Sequence, residues 1–171
     1  NDRASGDNVN HHNFQNARET ITVAAVKQSD MIESFSTPGA AILTSAYGSG
    51  VLSTDWMGTQ GNNPVDKFPN NDYTYFSGTS ASAPQVSAII ALMLEANPSL
   101  GYRDIQEILA HASHNPDTAS WKTNGASNFN LGGHLYNDDM GFGIVDAKAA
   151  VRLAESWQSQ QTAHNEVFAA A

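Results

Sequence analysis

One hydroxyl side chain, Ser80, stands in a context that can make a serine reactive. It follows a Gly-Thr step and precedes small residues, Pro84 and a long apolar stretch, Val86 to Leu94. Because proline is tolerated in the first turn of a helix, this order predicts a serine at the start of a buried helix. The free N–H groups and partial positive charge of a helix N-terminus stabilise an anion formed there. The segment can therefore supply a nucleophile and one donor of an oxyanion hole.

The alternative for Ser80 is a serine that only caps a helix, since serine is a good N-cap. The wider context favours the nucleophile. The seven residues from Gly78 to Pro84, Gly-Thr-Ser-Ala-Ser-Ala-Pro, resemble the nucleophile motif of subtilisin-like serine proteases. The segments from Ile89 to Pro98 and from Tyr102 to Gln106 are similar to the kexin and furin-type branch of that family. The resemblance covers residues 1–157.

The resemblance implies a second oxyanion donor in Asn1, whose side chain would act with the Ser80 N–H. In the kexin-like pattern this asparagine stands six residues before the Asp of Gly-Asp-Asn, and Asn1 stands six residues before Asp7. The same pattern makes Asp7 a calcium ligand, because a loop carboxylate suits a hard cation. The plain alternatives are a loop asparagine and a solvated acid.

Two positions depart from the kexin-like pattern. Thr37 stands where a second calcium-binding carboxylate is expected, although Glu33 is close in sequence. His12 stands where kexin-like enzymes carry an acid that binds a basic substrate side chain. Since histidine has no fixed negative charge at neutral pH, strict cleavage after Lys or Arg is not expected. The alternative for His12 is a surface loop histidine.

A serine protease also needs a base and an orienting acid. The family's His-Gly-Thr-type motif and its aspartate motif do not occur in this chain, and in the family both precede the oxyanion asparagine. The remaining histidines and a nearby acidic pair are interpreted as surface residues: His111, His114, His134, Asp138 and Asp139. The base and acid are therefore expected from an upstream segment, the N-terminal half of the same catalytic domain.

The function predicted is that of a serine endopeptidase acting on proteins or peptides through an acyl-enzyme, with calcium as the implied cofactor. A catalytically incomplete, protease-like binding or scaffold module is the alternative, and the sequence before Asn1 discriminates between the two. An esterase of the α/β-hydrolase type is a third possibility. Its nucleophile motif is Gly-x-Ser-x-Gly, and Ser82 stands where the second glycine belongs.

The elements that must position Ser80 follow from residue patterns. Strands are predicted over residues 20–26, 40–46 and 73–77, and helices over 80–96, 102–113 and 147–157, with Gly101 as an N-cap. Residues 55–72 and 114–135 are predicted to be loops. Strands followed by crossover helices imply a three-layer α/β fold with a mainly parallel sheet. Residues 1–157 would be the C-terminal half of the peptidase domain and 158–171 a linker or tail, with a β-rich domain possible downstream.

Composition narrows the possible partners. The 171-residue chain has a formal net charge of −9 with only 8 Lys and Arg, which argues against binding to nucleic acids or anionic membranes. No apolar run reaches the roughly 18 residues that a membrane helix needs. There is no cysteine, so neither a disulfide nor thiol chemistry is available. Together with the resemblance, these features predict a secreted or extracellular protein of bacterial origin.

Because the chain holds no identifiable base for Ser80, we expect residues 1–171 alone to show little or no peptide hydrolysis. The measurement is turnover of a fluorogenic peptide, with labelling by a serine-reactive fluorophosphonate as a second readout. Robust turnover and labelling by the isolated chain would contradict this expectation.

Overall fold

Two neighbouring parallel strands form the centre of the fold. The computed structural model describes residues 3–63, 72–125 and 133–158. Strand β1 (Thr22–Val26) pairs in parallel with β2 (Ile42–Tyr47), and most residues of both strands are buried. Their small and β-branched side chains suit a sheet covered by helices. Both strands were predicted, and each begins two residues later than expected.

The sheet contains four strands in the order β1-β2-β8-β5. Strand β8 (Ile144–Val145) is parallel to β2, and β5 (Ser113–His114) is antiparallel to β8. The carbonyl oxygen of Gly143 joins β8 to β2, because the hydroxyls of Thr44 and Ser45 each donate to it at 3.0 Å. The mainly parallel α/β arrangement therefore agrees with the predicted fold class.

Two small antiparallel hairpins lie outside this sheet. Strand β3 (Val51–Thr54) pairs with β4 (Tyr73–Phe76), and β6 (Lys122–Thr123) pairs with β7 (Leu135–Tyr136). Strand β4 was predicted, but β3 was not. Strands β5 to β7 lie within or next to the segment predicted as a loop over 114–135, and that prediction was wrong for these residues. Strands of two residues are too short to show an alternating pattern.

In the described residues three α-helices cover the sheet, and their bounds lie within one residue of the predicted ones. They are α1 (Thr79–Ala96), α2 (Tyr102–Ala112) and α3 (Ala147–Ser156). Helix α1 packs on both central strands and on α3, and α2 packs on α3 and β2. The sequence predicted an α1 buried on nearly every side, but Leu92 and Leu94 are 49% and 37% exposed. The described elements cover only one side of this helix.

The core lies between the helices and the sheet. Its fully buried members come from every helix and from β2, and they pack as one cluster: Ala46, Val86, Met93, Ile108, Leu109, Ala150 and Ala154. None of the helices in the described part of the chain has the length and apolarity needed to cross a membrane. This core fixes the direction of α1, and with it the position of Ser80.

The first turn of α1 lies directly on the segment that follows β2. The N–H of Gly78 donates to the carbonyl oxygen of Gly48 at 2.7 Å. A Cβ atom on Gly48 would lie 2.5 Å from Cβ of Ala25 and 2.7 Å from Oγ of Ser82. Ser82 is completely buried, and its hydroxyl has no hydrogen-bond partner among the described residues. Close approach of the two backbones, together with the hydrogen bond from Gly78 to Gly48, therefore holds the start of this helix against the sheet.

A buried carboxylate joins the ends of α2 and α3. Asp104 is fully buried, accepts a hydrogen bond from the Gly101 N–H at 2.9 Å, and accepts another from Nε1 of Trp157 at 3.1 Å. The first contact caps the N-terminus of α2 as predicted. The second connects the cap to the residue after α3, so one side chain stabilises both helix ends.

We expect Gly48→Ala to lower the free energy of unfolding by about 1–3 kcal/mol, because the added methyl group overlaps Ala25. Urea denaturation followed by far-UV circular dichroism measures the change. Gly125→Ala is the control, since a Cβ there meets no atom within 4 Å. Equal midpoints for the two variants would refute the close-approach interpretation.

Asp104→Ala should cost about 2–3 kcal/mol, because it leaves the Gly101 N–H and the Trp157 indole N–H without their acceptor. Tryptophan fluorescence during urea denaturation reports both stability and the Trp157 environment. Asp117→Ala removes an exposed acid as the control. A loss no larger than that of the control would show that Asp104 does not connect the two helices.

Candidate active site

Ser80 is the second residue of α1, and its side chain is exposed. Gly78, which precedes the helix, has φ 135° and ψ 165°, a conformation that residues with a side chain rarely adopt. This glycine turns the chain from β4 into α1 and leaves the serine at the helix N-terminus. The partial positive charge of a helix N-terminus stabilises an anion that forms there. The local geometry therefore suits a nucleophile.

Polar contacts hold the start of α1 against the neighbouring turns. Nε2 of Gln85 donates to the carbonyl oxygens of Tyr47 at 2.6 Å and Ala81 at 2.8 Å. The Gly50 N–H donates to the Ser77 hydroxyl at 3.1 Å. Tyr47 is the last residue of β2 and Gln85 lies in α1, while Gly50 follows β2 and Ser77 precedes α1. These contacts therefore restrict movement of the helix start relative to the sheet. This arrangement was not anticipated from the sequence.

A cavity of about 350 Å³ opens beside Ser80. Thr79, Ser80 and Ala83 of α1 form one wall, and residues 7–23 provide much of the rest, including Asp7 and His12. The structure thus brings three of the predicted site residues to one cavity. Asn1, the fourth, lies outside the described residues.

Asp7 and His12 bind each other at this cavity. Nε2 of His12 lies 3.0 Å from Oδ1 and 2.9 Å from Oδ2 of Asp7. The Asn8 N–H also donates to Oδ1 at 2.9 Å. These contacts, above all the one with His12, hold the pKa of Asp7 below its ordinary value. The predicted calcium ligand and the predicted substrate-binding residue therefore form one pair.

The side chains around Asp7 are not arranged as a calcium site in this structure. Both carboxylate oxygens face the His12 imidazole, a ligand that calcium does not favour. Glu33 is buried, accepts a hydrogen bond from the Ser49 hydroxyl, and lines a different cavity. Thr37 lines the Asp7 cavity but brings no carboxylate. Within residues 3–63, 72–125 and 133–158, no three His, Asp or Glu side chains form a metal-binding group.

No histidine hydrogen-bonds Ser80 in the described part of the chain. His12 is the only histidine that lines the cavity there, and it is bound to Asp7. His114 is exposed on β5. The described residues therefore place no histidine against the Ser80 hydroxyl.

Two further histidines, His111 and His134, contact each other and do not line the cavity beside Ser80. The rings of His111 and His134 are T-shaped, with centroids 4.5 Å apart, and the indole of Trp157 lies 6.2 Å from His111. Burial, with a smaller effect of His134, lowers the pKa of His111. Both histidines were expected to be independent surface residues. His111 lies in the last turn of α2 and His134 directly precedes β7, so this contact joins the end of the helix to the start of that strand.

The predicted acidic pair, Asp138 and Asp139, connects segments that are distant in the sequence. The guanidinium of Arg3 forms an ion pair with Asp139, and its Nε donates to the Ser36 carbonyl oxygen at 2.7 Å. The Asp138 carbonyl oxygen accepts from the Gly39 N–H at 2.8 Å. Residues 3, 36–39 and 138–139 are thereby connected. No spacing in the sequence indicated these contacts.

Comparison with known proteins shows which family this chain resembles. The sequence profile of the subtilase family matches residues 1–143. A PC3-like endoprotease, variant B, of Hydra vulgaris is 46% identical over 86 residues, covering 49% of this chain and 11% of that protein. Human proprotein convertase subtilisin/kexin type 4 is 32% identical over 157 residues, covering 91% of this chain. The chain spans only 19% of the length of that convertase.

A solved structure shares the fold. The serine protease of Aeromonas sobria superposes with a TM-score of 0.70 at 25% identity, covering 82% of this chain and 30% of that protein. The predicted fold class is thus confirmed, and so is the predicted relationship to subtilisin-like proteases of the kexin branch. The profile match includes Ser80 and the helix that carries it. The chain belongs to the subtilase family.

Proposed function

We propose that the intact protein is a serine endopeptidase and that Ser80 is its nucleophile. One observation carries this proposal. Ser80 is exposed in the first turn of α1, faces a cavity, and lies in a segment matched by the subtilase profile. An exposed hydroxyl at a helix N-terminus suits acyl transfer, because the helix dipole stabilises the negative charge that develops there.

In the proposed reaction, Oγ of Ser80 attacks the carbonyl carbon of the scissile peptide bond. A histidine from the upstream half of the domain takes the hydroxyl proton, and an aspartate from the same half orients that histidine. The tetrahedral intermediate collapses when the C–N bond breaks, and the histidine returns the proton to the leaving amine. Water then attacks the acyl-enzyme while the histidine takes its proton, and the histidine gives that proton to Oγ of Ser80 as the ester bond breaks.

The negative oxygen of the intermediate needs two donors. The Ser80 N–H at the start of α1 would supply one, and the side-chain amide of Asn1 would supply the other. Loss of one such donor typically raises the barrier by about 3–4 kcal/mol. Asn1 is proposed on its spacing to Asp7 alone, because it lies outside the described residues.

The proposed enzyme extends beyond this chain. Residues 1–157 would form the C-terminal half of the catalytic domain, 158–171 would form a linker or tail, and a β-rich domain could follow. Protein or peptide substrates and a secreted, extracellular location, with a bacterial source, belong to the same proposal. Calcium also remains a proposal for the intact enzyme, and no step of the reaction uses it.

A protease-like binding module is the second candidate. The absence of a histidine bonded to Ser80 in the described residues favours it. The two candidates differ in what the upstream half supplies. An intact wild-type protein that binds peptides but neither cleaves them nor reacts with a fluorophosphonate would be a binding module.

Ser80→Ala in the intact protein should reduce kcat by about four to six orders of magnitude, because the acyl-enzyme can no longer form. Peptide turnover and fluorophosphonate labelling measure the loss. Ser87→Ala is the matched control, since Ser87 is an exposed serine on the same helix whose hydroxyl bonds only the Ala83 carbonyl oxygen. Undiminished turnover by Ser80→Ala would reject Ser80 as the nucleophile.

A further inference from the structure

We propose that the cavity beside Ser80 receives an uncharged, mainly apolar substrate side chain instead of a basic one. The inference deepens the proposed endopeptidase function and rests on it. It follows from two observations on the described residues: the pairing of the cavity's one carboxylate, and a surrounding wall that has no other charged side chain and includes six apolar residues.

The carboxylate of Asp7 is the only acidic group among the described residues that line the cavity. Its two oxygens already contact Nε2 of His12, and Oδ1 also accepts from the Asn8 N–H. A substrate guanidinium binds a carboxylate best through two parallel hydrogen bonds to both oxygens. The imidazole occupies the positions that those two donors would take, so a basic side chain would have to displace it.

The pair is also part of the cavity wall and not a distant surface contact. The Asp7 side chain is 24% exposed and that of His12 is 46% exposed, and both line the space next to Ser80. Displacing His12 would cost a hydrogen bond to an ionised group, which is stronger than a neutral one. Glu33 offers no substitute, because it accepts from Ser49 and lines another cavity.

The remaining wall carries no charged side chain and combines uncharged polar residues with hydrocarbon groups. Hydrocarbon groups from the N-terminal loop, from the start of both central strands and from α1 contribute to it: Val9, Phe14, Ile21, Val23, Ile42 and Ala83. Val9 and Ile42 are buried, whereas Phe14 is 76% exposed. A substrate side chain that covers the exposed ring of Phe14 removes apolar surface from water, which favours binding. The volume of about 350 Å³ leaves room for leucine or phenylalanine.

The first test measures kcat/KM of the intact enzyme for peptides that differ only in the residue before the scissile bond. Leu and Phe peptides should be cleaved with about tenfold or higher kcat/KM than Arg and Lys peptides. His12→Asp should shift this ratio toward Arg by about tenfold or more, because it frees Asp7 and adds a second carboxylate. His11→Asp is the matched control, since it adds the same charge at a neighbouring position that does not line the cavity.

Preference of the wild-type enzyme for Arg or Lys peptides would overturn the inference. An equal shift for His11→Asp and His12→Asp would overturn it as well, because the effect would then be one of net charge. If no peptide is cleaved and Ser80 is not labelled, the proposed endopeptidase function fails instead.

A second measurement does not depend on catalysis. Fluorescent product peptides ending in Leu or in Arg are titrated against the 171-residue chain, with circular dichroism as the check that each variant is folded. The wild-type chain should bind the Leu peptide more tightly by about tenfold, and His12→Asp should reduce or reverse that difference. Tighter binding of the Arg peptide by the wild-type chain would contradict the proposed subsite.

Discussion

The contact between Gly48 and the first turn of α1 is the constraint on which the site depends. Two backbone segments approach so closely that a single methyl group on Gly48 would overlap Ala25 and Ser82. The hydrogen bond from Gly78 to the Gly48 carbonyl oxygen fixes the helix start relative to the sheet. Since Ser80 follows Gly78 by two residues, the position of its hydroxyl is set by this contact. Large side chains elsewhere stabilise the domain, but the position of Ser80 depends on the absence of a side chain at Gly48.

The hydrogen-bonded pair of Asp7 and His12 determines which ligands the cavity can bind. In the kexin-like pattern, acids at two positions would leave a negative cavity that a cation could enter. In this chain the imidazole of His12 lies against both carboxylate oxygens of Asp7, so these oxygens already have a hydrogen-bond partner within the protein. A substitution at one position therefore changes the state of a residue five positions away. The same contact bears on the metal and on the substrate, because both would need the same carboxylate oxygens.

Most of the regular structure could be predicted because its causes are local. The apolar residues of α2 recur with helical spacing, Gly101 and Asp104 form its cap, and β1 is a run of small and β-branched residues. The short strands β5 to β7 could not be predicted, since pairing with distant residues, and not their own pattern, makes them strands. The exposed Leu92 and Leu94 of α1 were also mispredicted. An all-apolar helix surface predicts burial, but it does not say which elements are present to cover it.

The sequence by itself determined the candidate nucleophile, its place at a helix start and the kinship with subtilisin-like proteases. These features are carried by consecutive residues, so no knowledge of the fold is needed to find them. Only the tertiary structure decided which side chains meet: Asp7 with His12, His111 with His134, and Asp104 with Trp157. Such contacts depend on packing directions and on backbone turns, which side-chain patterns along the chain do not encode. For that reason the position of Ser80 at a helix start could be predicted, whereas the character of the cavity beside it could not.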